Sequence, residues 1–277
     1  MIWLIGICAF LLIYAWLVHP NPARRSFDAL KPFDYAHRGY WDTNDPGEGN
    51  RPENSLAAFR AAVAHGYGME LDVHLTKDGS LVVHHDDSLR RLTGVDIRIA
   101  QSTLAEVRAC HLPNGEPVPT FDEVLETVAG RMPLIVEVKV ERNAEALCSA
   151  VYERMKRYDG LWCMESFDPW AVKWFRRNAP EILRGQLAFN HAGRGRTWQL
   201  WLRNIGIASM IQNVWSRPDF VAFEAASERR WCLPMMLLRW MKPTFAAWTV
   251  RSQADMDALR SRYDLQIFEK FEAKRPE

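Results

Sequence analysis

Hydrophobic and polar positions divide this chain into two unequal stretches. Residues 2–18 are apolar or aromatic without a charge. Wound as a helix, that run would measure about 25 Å at ~1.5 Å per residue, close to the ~30 Å hydrocarbon core of a bilayer. Tyr14 and Trp16 near its end suit the membrane interface. A cleaved signal peptide would show a basic residue ahead of the run and a small-x-small cleavage site, and neither is there. A buried helix would show an amphipathic face, which is also missing. The pattern therefore predicts an uncleaved single-pass transmembrane anchor over 1–19, a Pro-containing linker over 20–32 and a folded domain over 33–277. Arg24, Arg25 and Lys31 follow the apolar run and no basic residue precedes it, which puts the folded domain on the cytoplasmic side.

From residue 33 onward, short apolar runs alternate with segments of helical period. Strands are expected over 33–36, 134–140, 161–167 and 184–189, and helices over 56–63, 104–109, 121–129, 144–158 and 169–178. A strand through Glu70 and Asp72 leads into a hairpin at Asp78 and Gly79. Later strands are expected over 210–214, 245–250 and 265–268. Strand and helix in alternation mean a parallel sheet, and this many units close most simply into a TIM (β/α)₈ barrel. The count runs one or two strands past eight, which the hairpin partly absorbs.

Charged residues fall at or beside the ends of the apolar runs. Glu70 and Asp72, two apart, share one face of a strand. Glu137 and Lys139 repeat the pattern within 134–140. Paired carboxylates on a strand are commonly a solvated face, but these strands are apolar on both sides. Burying such charges unpaired costs stability or shifts their pKa, and a divalent cation with oxygen preference is the usual remedy. Closing the hairpin with Thr76 opposite Leu81 brings Asp72 opposite His85; a slip of one residue brings His84 there instead. His37, Asp72 and Lys139 all fall at the C-terminal ends of strands, where barrels of this class build their sites.

Composition narrows the possibilities. A net charge of +1 gives no electrostatic case for nucleic acid, and 48% hydrophobic content is ample for a core. The five cysteines, Cys8, Cys110, Cys148, Cys163 and Cys232, show no paired spacing and read as small buried hydrophobes in a reducing compartment. Tryptophans cluster late: Trp198, Trp201, Trp215, Trp231 and Trp240 interleave with Arg194, Arg196, Arg203, Arg229, Arg230 and Arg239. That stretch is either helix-to-barrel packing or an interfacial surface suited to lipid headgroups.

Five motifs, in this order, resemble the glycerophosphodiester phosphodiesterase family: His37-Arg38-Gly39, Pro52-Glu53-Asn54-Ser55, Glu70-x-Asp72, His85-Asp86-x-x-Leu89-x-Arg91 and Glu137-x-Lys139. The likeness runs from about residue 34 to about 189 and includes Glu165-Ser166-Phe167-Asp168. It thins over 190–245. Trp248-Thr249-Val250 is similar to a late family strand, with Arg251 where Asn is common. Residues 267–270 depart from the family's closing Ile-Thr-Asp-x-Pro, and Leu92 stands within the family's Arg-Thr-Thr. The resemblance implies a barrel of the phospholipase-C-like phosphodiesterase type. It further implies one divalent ion, Mg²⁺ or Ca²⁺, on Glu70, Asp72 and Glu137, with Glu53 in or beside that shell. Arg38 and Lys139 would bind phosphate, Trp248 would contact substrate, and His37 and His85 would form the acid/base pair. In the family the glycerol's own free hydroxyl attacks, giving a cyclic phosphate that water opens. His84 reads as structural, and His65, His74, His111 and His191 have no partner pattern.

Three readings follow. The first is a membrane-anchored, metal-dependent hydrolase cutting glycerophosphodiesters to glycerol 3-phosphate and an alcohol. The second is a lysophospholipase D acting on lipid still in the bilayer. The third is a barrel that binds phosphorylated headgroups without turnover, which would have no need of two proton-transfer groups.

Overall fold

Runs that are apolar on both faces become the strands of one closed sheet, as burial on both sides requires. The computed structural model describes residues 2–23, 25–43, 49–191, 197–227 and 232–275. Arg24, Gly47, Arg194, Arg196, Arg229, Arg230 and Trp231, which include most of the late arginines above, lie outside the described residues.

The strands are β1 (Tyr35–Ala36), β2 (Gly68–Leu75), β3 (Leu81–Val83), β4 (Leu134–Val138), β5 (Trp162–Ser166), β6 (Arg184–Ala188), β7 (Phe220–Glu224), β8 (Thr244–Val250) and β9 (Leu265–Phe268). All but β3 run parallel, each beside the next, and β1 pairs with both β9 and β2 to close the barrel. β3 is the return arm of an antiparallel hairpin on β2. The helices in chain order are α1 (Ile2–Val18), α2 (Leu56–Ala64), α3 (Arg90–Thr93), α4 (Leu104–Arg108), α5 (Phe121–Val128) and α6 (Ala144–Met155). They continue with α7 (Pro169–Asn178), α8 (Trp198–Ser209), α9 (Asn213–Ser216), α10 (Leu233–Met241) and α11 (Gln253–Leu259). Their starts carry the expected chemistry. Ser55 caps α2, Thr120 and Glu123 form a capping box on α5, and Asp168 caps α7 ahead of Pro169.

Three apolar clusters result among the described residues, the smallest of them, with Val82, Leu89 and Ile99, lying beside the hairpin. Of the larger two, one lies between the sheet and its helices and includes Met69, Leu71, Val136, Met164 and Phe175. The other fills the barrel with Tyr35, Ile135, Cys163, Leu187, Phe220, Ala246 and Ile267. Phe27 and Leu30, from the stretch read as linker, join this inner cluster, and Phe27 meets Phe220 edge-on at 5.5 Å.

Two expectations are corrected. Residues 210–214 form no strand: Met210 ends α8 in the left-handed conformation and α9 starts at Asn213. The seventh stave is instead β7, whose four buried residues from Phe220 to Phe223 are too short a run to stand out beside the tryptophan-rich helices. The transmembrane anchor is also not found, since no described helix is long and apolar enough to cross a membrane. α1 has 17 residues, and its last turns are bound to the barrel's outer helices. Tyr14 Oη donates to the Ser209 carbonyl at 2.7 Å, Asn213 Nδ2 donates to Val18 O at 2.9 Å, and Val18 is fully buried.

Gly185 marks a point where the inner core has no slack. A Cβ there would lie 2.3 Å from Phe220 Cζ, and that ring is held in the barrel interior. Gly185→Ala should therefore cost about 1–3 kcal/mol. Urea unfolding checks this: the midpoint falls with the slope unchanged, and an unshifted midpoint would show that the interior can yield.

Candidate active site

Parallel strands in register, with side chains alternating every two residues, carry one interior face up the barrel from apolar to charged. Ile135 leads to Glu137 on β4, Cys163 to Glu165 on β5, and Glu70 to Asp72 on β2. Asp72 pairs in register with Glu137, and Glu137 with Glu165, so three carboxylates stand in a row. His37 follows β1 and Glu269 follows the neighbouring β9. His37 Nδ1 lies 2.8 Å from Glu269 Oε2, and Arg251 Nε donates to Glu269 Oε1 at 2.8 Å. Although burial opposes it, His37 and Arg251 hold the Glu269 carboxyl down at about 2. An ionised carboxylate only accepts, so His37 donates from Nδ1 and presents Nε2, 4.0 Å from Glu70.

The hairpin takes the slipped register. Leu75 pairs with Leu81, and the His84 amide donates to the Asp72 carbonyl, so His84 rather than His85 stands across from Asp72. β3 ends at Val83, and beyond it the backbone leaves the ladder. His84 is fully buried and its Nδ1 accepts the Asp86 amide, which makes it structural as expected. His85 reaches the site from the loop instead. Its Nδ1 is 2.7 Å from Asp86 Oδ1, whose carboxyl Arg91 and His85 hold at about 2 against partial burial. Here too Nε2 is left for the cavity. Burial pushes His85 down to about 4 and lowers His37 as well, which favours the neutral ring as the base form at each.

One cavity of about 370 Å³ is lined by His37, Arg38, Glu53, Glu70, His85, Glu137, Lys139 and Trp248, with Asp72 buried against Lys139. All nine residues singled out from the sequence thus meet. Arg38 has a positive φ of 58°, a conformation uncommon away from glycine that aims its amide at Glu70 Oε2, 2.9 Å away. Arg38 Nη1 donates to Glu53 at 2.7 Å, and Arg91 binds both oxygens of Glu53. Glu53 therefore stands in an arginine clamp beside the other carboxylates. Lys139 Nζ lies 2.9 Å from Asp72 and 2.8 Å from Glu137, so it neutralises the cluster rather than facing the cavity unpaired. Glu165, Glu269 and Arg91 complete the site and were not assigned roles from sequence. Glu165 carried a usable signal, its parity with Cys163. His74, given no role, is buried and hydrogen-bonded to Glu141 at 2.8 Å.

The charges leave room for a cation. Setting aside the Glu269–Arg251 pair, five buried carboxylates (Glu53, Glu70, Asp72, Glu137, Glu165) face three cationic side chains (Arg38, Arg91, Lys139). Arg91 also pairs with Asp86, so carboxylates outnumber cationic side chains around the cluster. Oxygens of Glu70, Asp72 and Glu137 all lie within 4.8 Å of one another, and Glu165 Oε2 is buried without a partner. Burial, with Asp72 and Glu137 close by, raises Glu70 well above its ordinary value; burial lifts Glu137 to about 7 despite Lys139, and Glu165 is raised likewise. An all-oxygen donor set of this kind fits a hard cation.

A closed parallel barrel with carboxylates, cations and two oriented histidines at its C-terminal end is the class of a metal-assisted phosphodiesterase. Residues 37–263 match the glycerophosphoryl diester phosphodiesterase family, and the chain belongs to it. Glycerophosphodiester hydrolysis, with dependence on a divalent cation, is the chemistry of that family. Among curated relatives, bovine glycerophosphodiester phosphodiesterase 1 is 27% identical over 275 residues, covering 88% of this chain and 80% of that protein. Human lysophospholipase D GDPD1 is 33% identical over 168 residues, 55% of this chain and 49% of the relative, so this chain spans about half of that protein's length. Among solved structures, a phosphodiesterase from Oleispira antarctica in complex with its product sn-glycerol-3-phosphate shares the fold. Its TM-score is 0.67 at 24% identity, covering 87% of this chain and 94% of that one.

The raised carboxyls give a signed pH test. Groups whose folded pKa lies above the unfolded value stabilise the metal-free fold fully at low pH. That contribution is lost as pH rises from the ordinary 4.5 through about 7, the Glu137 value. A bound cation replaces those protons, so its effect grows with pH. Melting curves with Mg²⁺ or Ca²⁺ against EDTA should show a larger rise in Tm near ~pH 7.5 than near ~pH 5. Equal shifts, or none, would sink the proposed cation site.

Proposed function

We propose that this protein hydrolyses glycerophosphodiesters to glycerol 3-phosphate and an alcohol, with His37 and His85 as the proton-transfer pair. The observation that carries this reading is the repeated arrangement of the two histidines. Each donates Nδ1–H to an ionised carboxylate, Glu269 or Asp86, and turns Nε2 toward a cavity bearing the carboxylate cluster. A binding barrel would have no use for two such oriented bases.

Glu70, Asp72 and Glu137 would hold the cation, Mg²⁺ or Ca²⁺, with Glu53 beside them. Bound there, it would supply Lewis-acid polarisation of a phosphoryl oxygen. Arg38 and Lys139 supply further positive charge to the same cavity, where a phosphodiester gains charge on attack. One histidine takes the proton of the attacking hydroxyl as its oxygen bonds to phosphorus. The bond from phosphorus to the departing alcohol breaks, and that oxygen takes its proton from the other histidine, which enters the step as imidazolium with a proton on Nε2. Attack by the glycerol's neighbouring hydroxyl leaves a cyclic phosphate, which one water opens with the proton roles reversed. Trp248, its Nε1 tied to the Ala222 carbonyl at 3.0 Å, forms an apolar side of the cavity against which glycerol carbons can lie.

Membrane attachment is supported by α1, which exposes Trp3, Leu4, Phe10, Leu12 and Trp16. Arg25 and Lys31, which follow α1, support the cytoplasmic side, because basic residues beside a membrane favour its anionic cytoplasmic leaflet.

His85→Ala should lower glycerol 3-phosphate release from glycerophosphocholine by ~10²–10⁴-fold, and EDTA should abolish release by wild type. A variant within about threefold of wild type would remove His85 from the mechanism.

A further inference from the structure

Of the buried carboxylates at this site, Glu165 alone lacks a partner. Arginines clamp Glu53, the Arg38 amide meets Glu70, and Lys139 lies between Asp72 and Glu137. Glu165 is 1% exposed, and its Oε2 is buried with nothing bonded to it. Among the described residues, no hydrogen bond or ion pair reaches its carboxyl. Burying a carboxyl in that way costs stability, whether the group is ionised or neutral. A group kept so in a binding cavity points to a ligand that completes it.

The cation set does not supply that partner. Oxygens of Glu70, Asp72 and Glu137 lie within 4.8 Å of one another, and Glu165 falls outside the group. It stands one strand further round, in register with Glu137 on one side and Gly185 on the other. There the lining of the cavity turns from charged to apolar, with Phe167, Leu187, Trp248 and Ile267 along it. Phe167 meets Trp248 edge-on at 5.6 Å. A lone polar group among apolar walls fixes the orientation of what binds against them.

Depth decides which part of the substrate that is. The departing alcohol differs between glycerophosphodiesters and must leave, so it belongs toward the open mouth. Glycerol is common to all of them, small and uncharged. Its carbons lie along Trp248 and its inner hydroxyl turns to phosphorus, which leaves the terminal hydroxyl to be satisfied. Apolar walls alone would strip that hydroxyl of water and return nothing. A carboxyl oxygen accepts from it in either protonation state.

We infer that Glu165 is a specificity-determining residue that accepts a hydrogen bond from the terminal hydroxyl of the glycerol moiety. The inference rests on the phosphodiesterase reading above. Glu165 makes and breaks no bond; it holds the far end of glycerol so that the neighbouring hydroxyl faces phosphorus. Carboxyl and hydroxyl complete one another, so a substrate without that hydroxyl leaves the carboxyl buried and bare.

Full-length wild type, Glu165→Leu and Glu165→Gln are assayed with Mg²⁺ or Ca²⁺ on two substrates. One is glycerophosphocholine; the other is 2-hydroxypropyl phosphocholine, which keeps the attacking hydroxyl and lacks only the terminal one. Wild type should favour glycerophosphocholine by ~10–100-fold in kcat/KM. That ratio should fall to within ~threefold of unity in Glu165→Leu and largely recover in Glu165→Gln, whose amide oxygen still accepts. Leucine is close to glutamate in size and removes a buried polar group, so the fold tolerates it. The rise in Tm on adding the cation should match that of wild type. A purely structural role would lower both substrates alike and leave the ratio standing, which overturns the inference, as does a wild-type ratio near unity. Loss of the cation-induced rise in Glu165→Leu makes Glu165 a cation ligand and overturns it too. Glycerophosphoethanol, whose alcohol is uncharged, is the last probe: if Glu165→Leu spares it and harms glycerophosphocholine, the carboxyl reads the ammonium headgroup and the assignment to glycerol falls. Wild type silent on glycerophosphocholine with either metal overturns the hydrolase reading itself.

Discussion

Buried like charge is the constraint on which the rest of this structure depends. Five carboxylates converge at the end of a barrel interior where water is scarce, and their mutual repulsion would drive the strands apart without compensation. Much of the irregular backbone answers that repulsion. Arg38 adopts a left-handed conformation to turn its amide onto Glu70. The segment after the hairpin folds back so that Arg91 can clamp Glu53 and Asp86. Lys139, just past the end of β4, reaches between Asp72 and Glu137. The same partners orient the chemistry, because Asp86 fixes His85 and Glu269 fixes His37. Stability and proton transfer thus draw on one set of contacts.

The sequence disclosed the staves better than their register. Alternating apolar and helical runs revealed a parallel barrel, and the two-residue period identified Glu70, Asp72 and Glu137 as sharing an interior. The hairpin defeated register because a single slip exchanges two adjacent histidines, and only the exit of the chain after Val83 lets His85 reach the site by another route. β7 was hidden because four apolar residues carry a weak signal beside longer amphipathic helices. Glu269 was illegible for a different reason. It meets His37 across 232 residues of chain, and nothing local announces a contact made by barrel closure.

The C-terminal mouth of a barrel is made of connections, which vary without disturbing the staves. Here the connection after β6 contains α8, a helix that walls a cleft on the catalytic cavity and exposes tryptophan elsewhere along its length. Chemistry on rigid strands and recognition on a connecting helix are separable, so substrate range can change while the carboxylate cluster stays intact.

The barrel's closure is also its thinnest joint. β1 contributes two residues, paired on one side with β2 and on the other with β9 near the opposite end of the chain. Zipping a sheet shut across so long a loop is entropically the most demanding step and suits a late event in folding. By the same token this seam is the natural place for the native state to breathe. Because His37 and Glu269 face one another across it, each opening would part His37 from its orienting carboxylate while most strands remain paired. Catalytic competence would then be a more fragile property than the fold, lost on warming before the barrel melts.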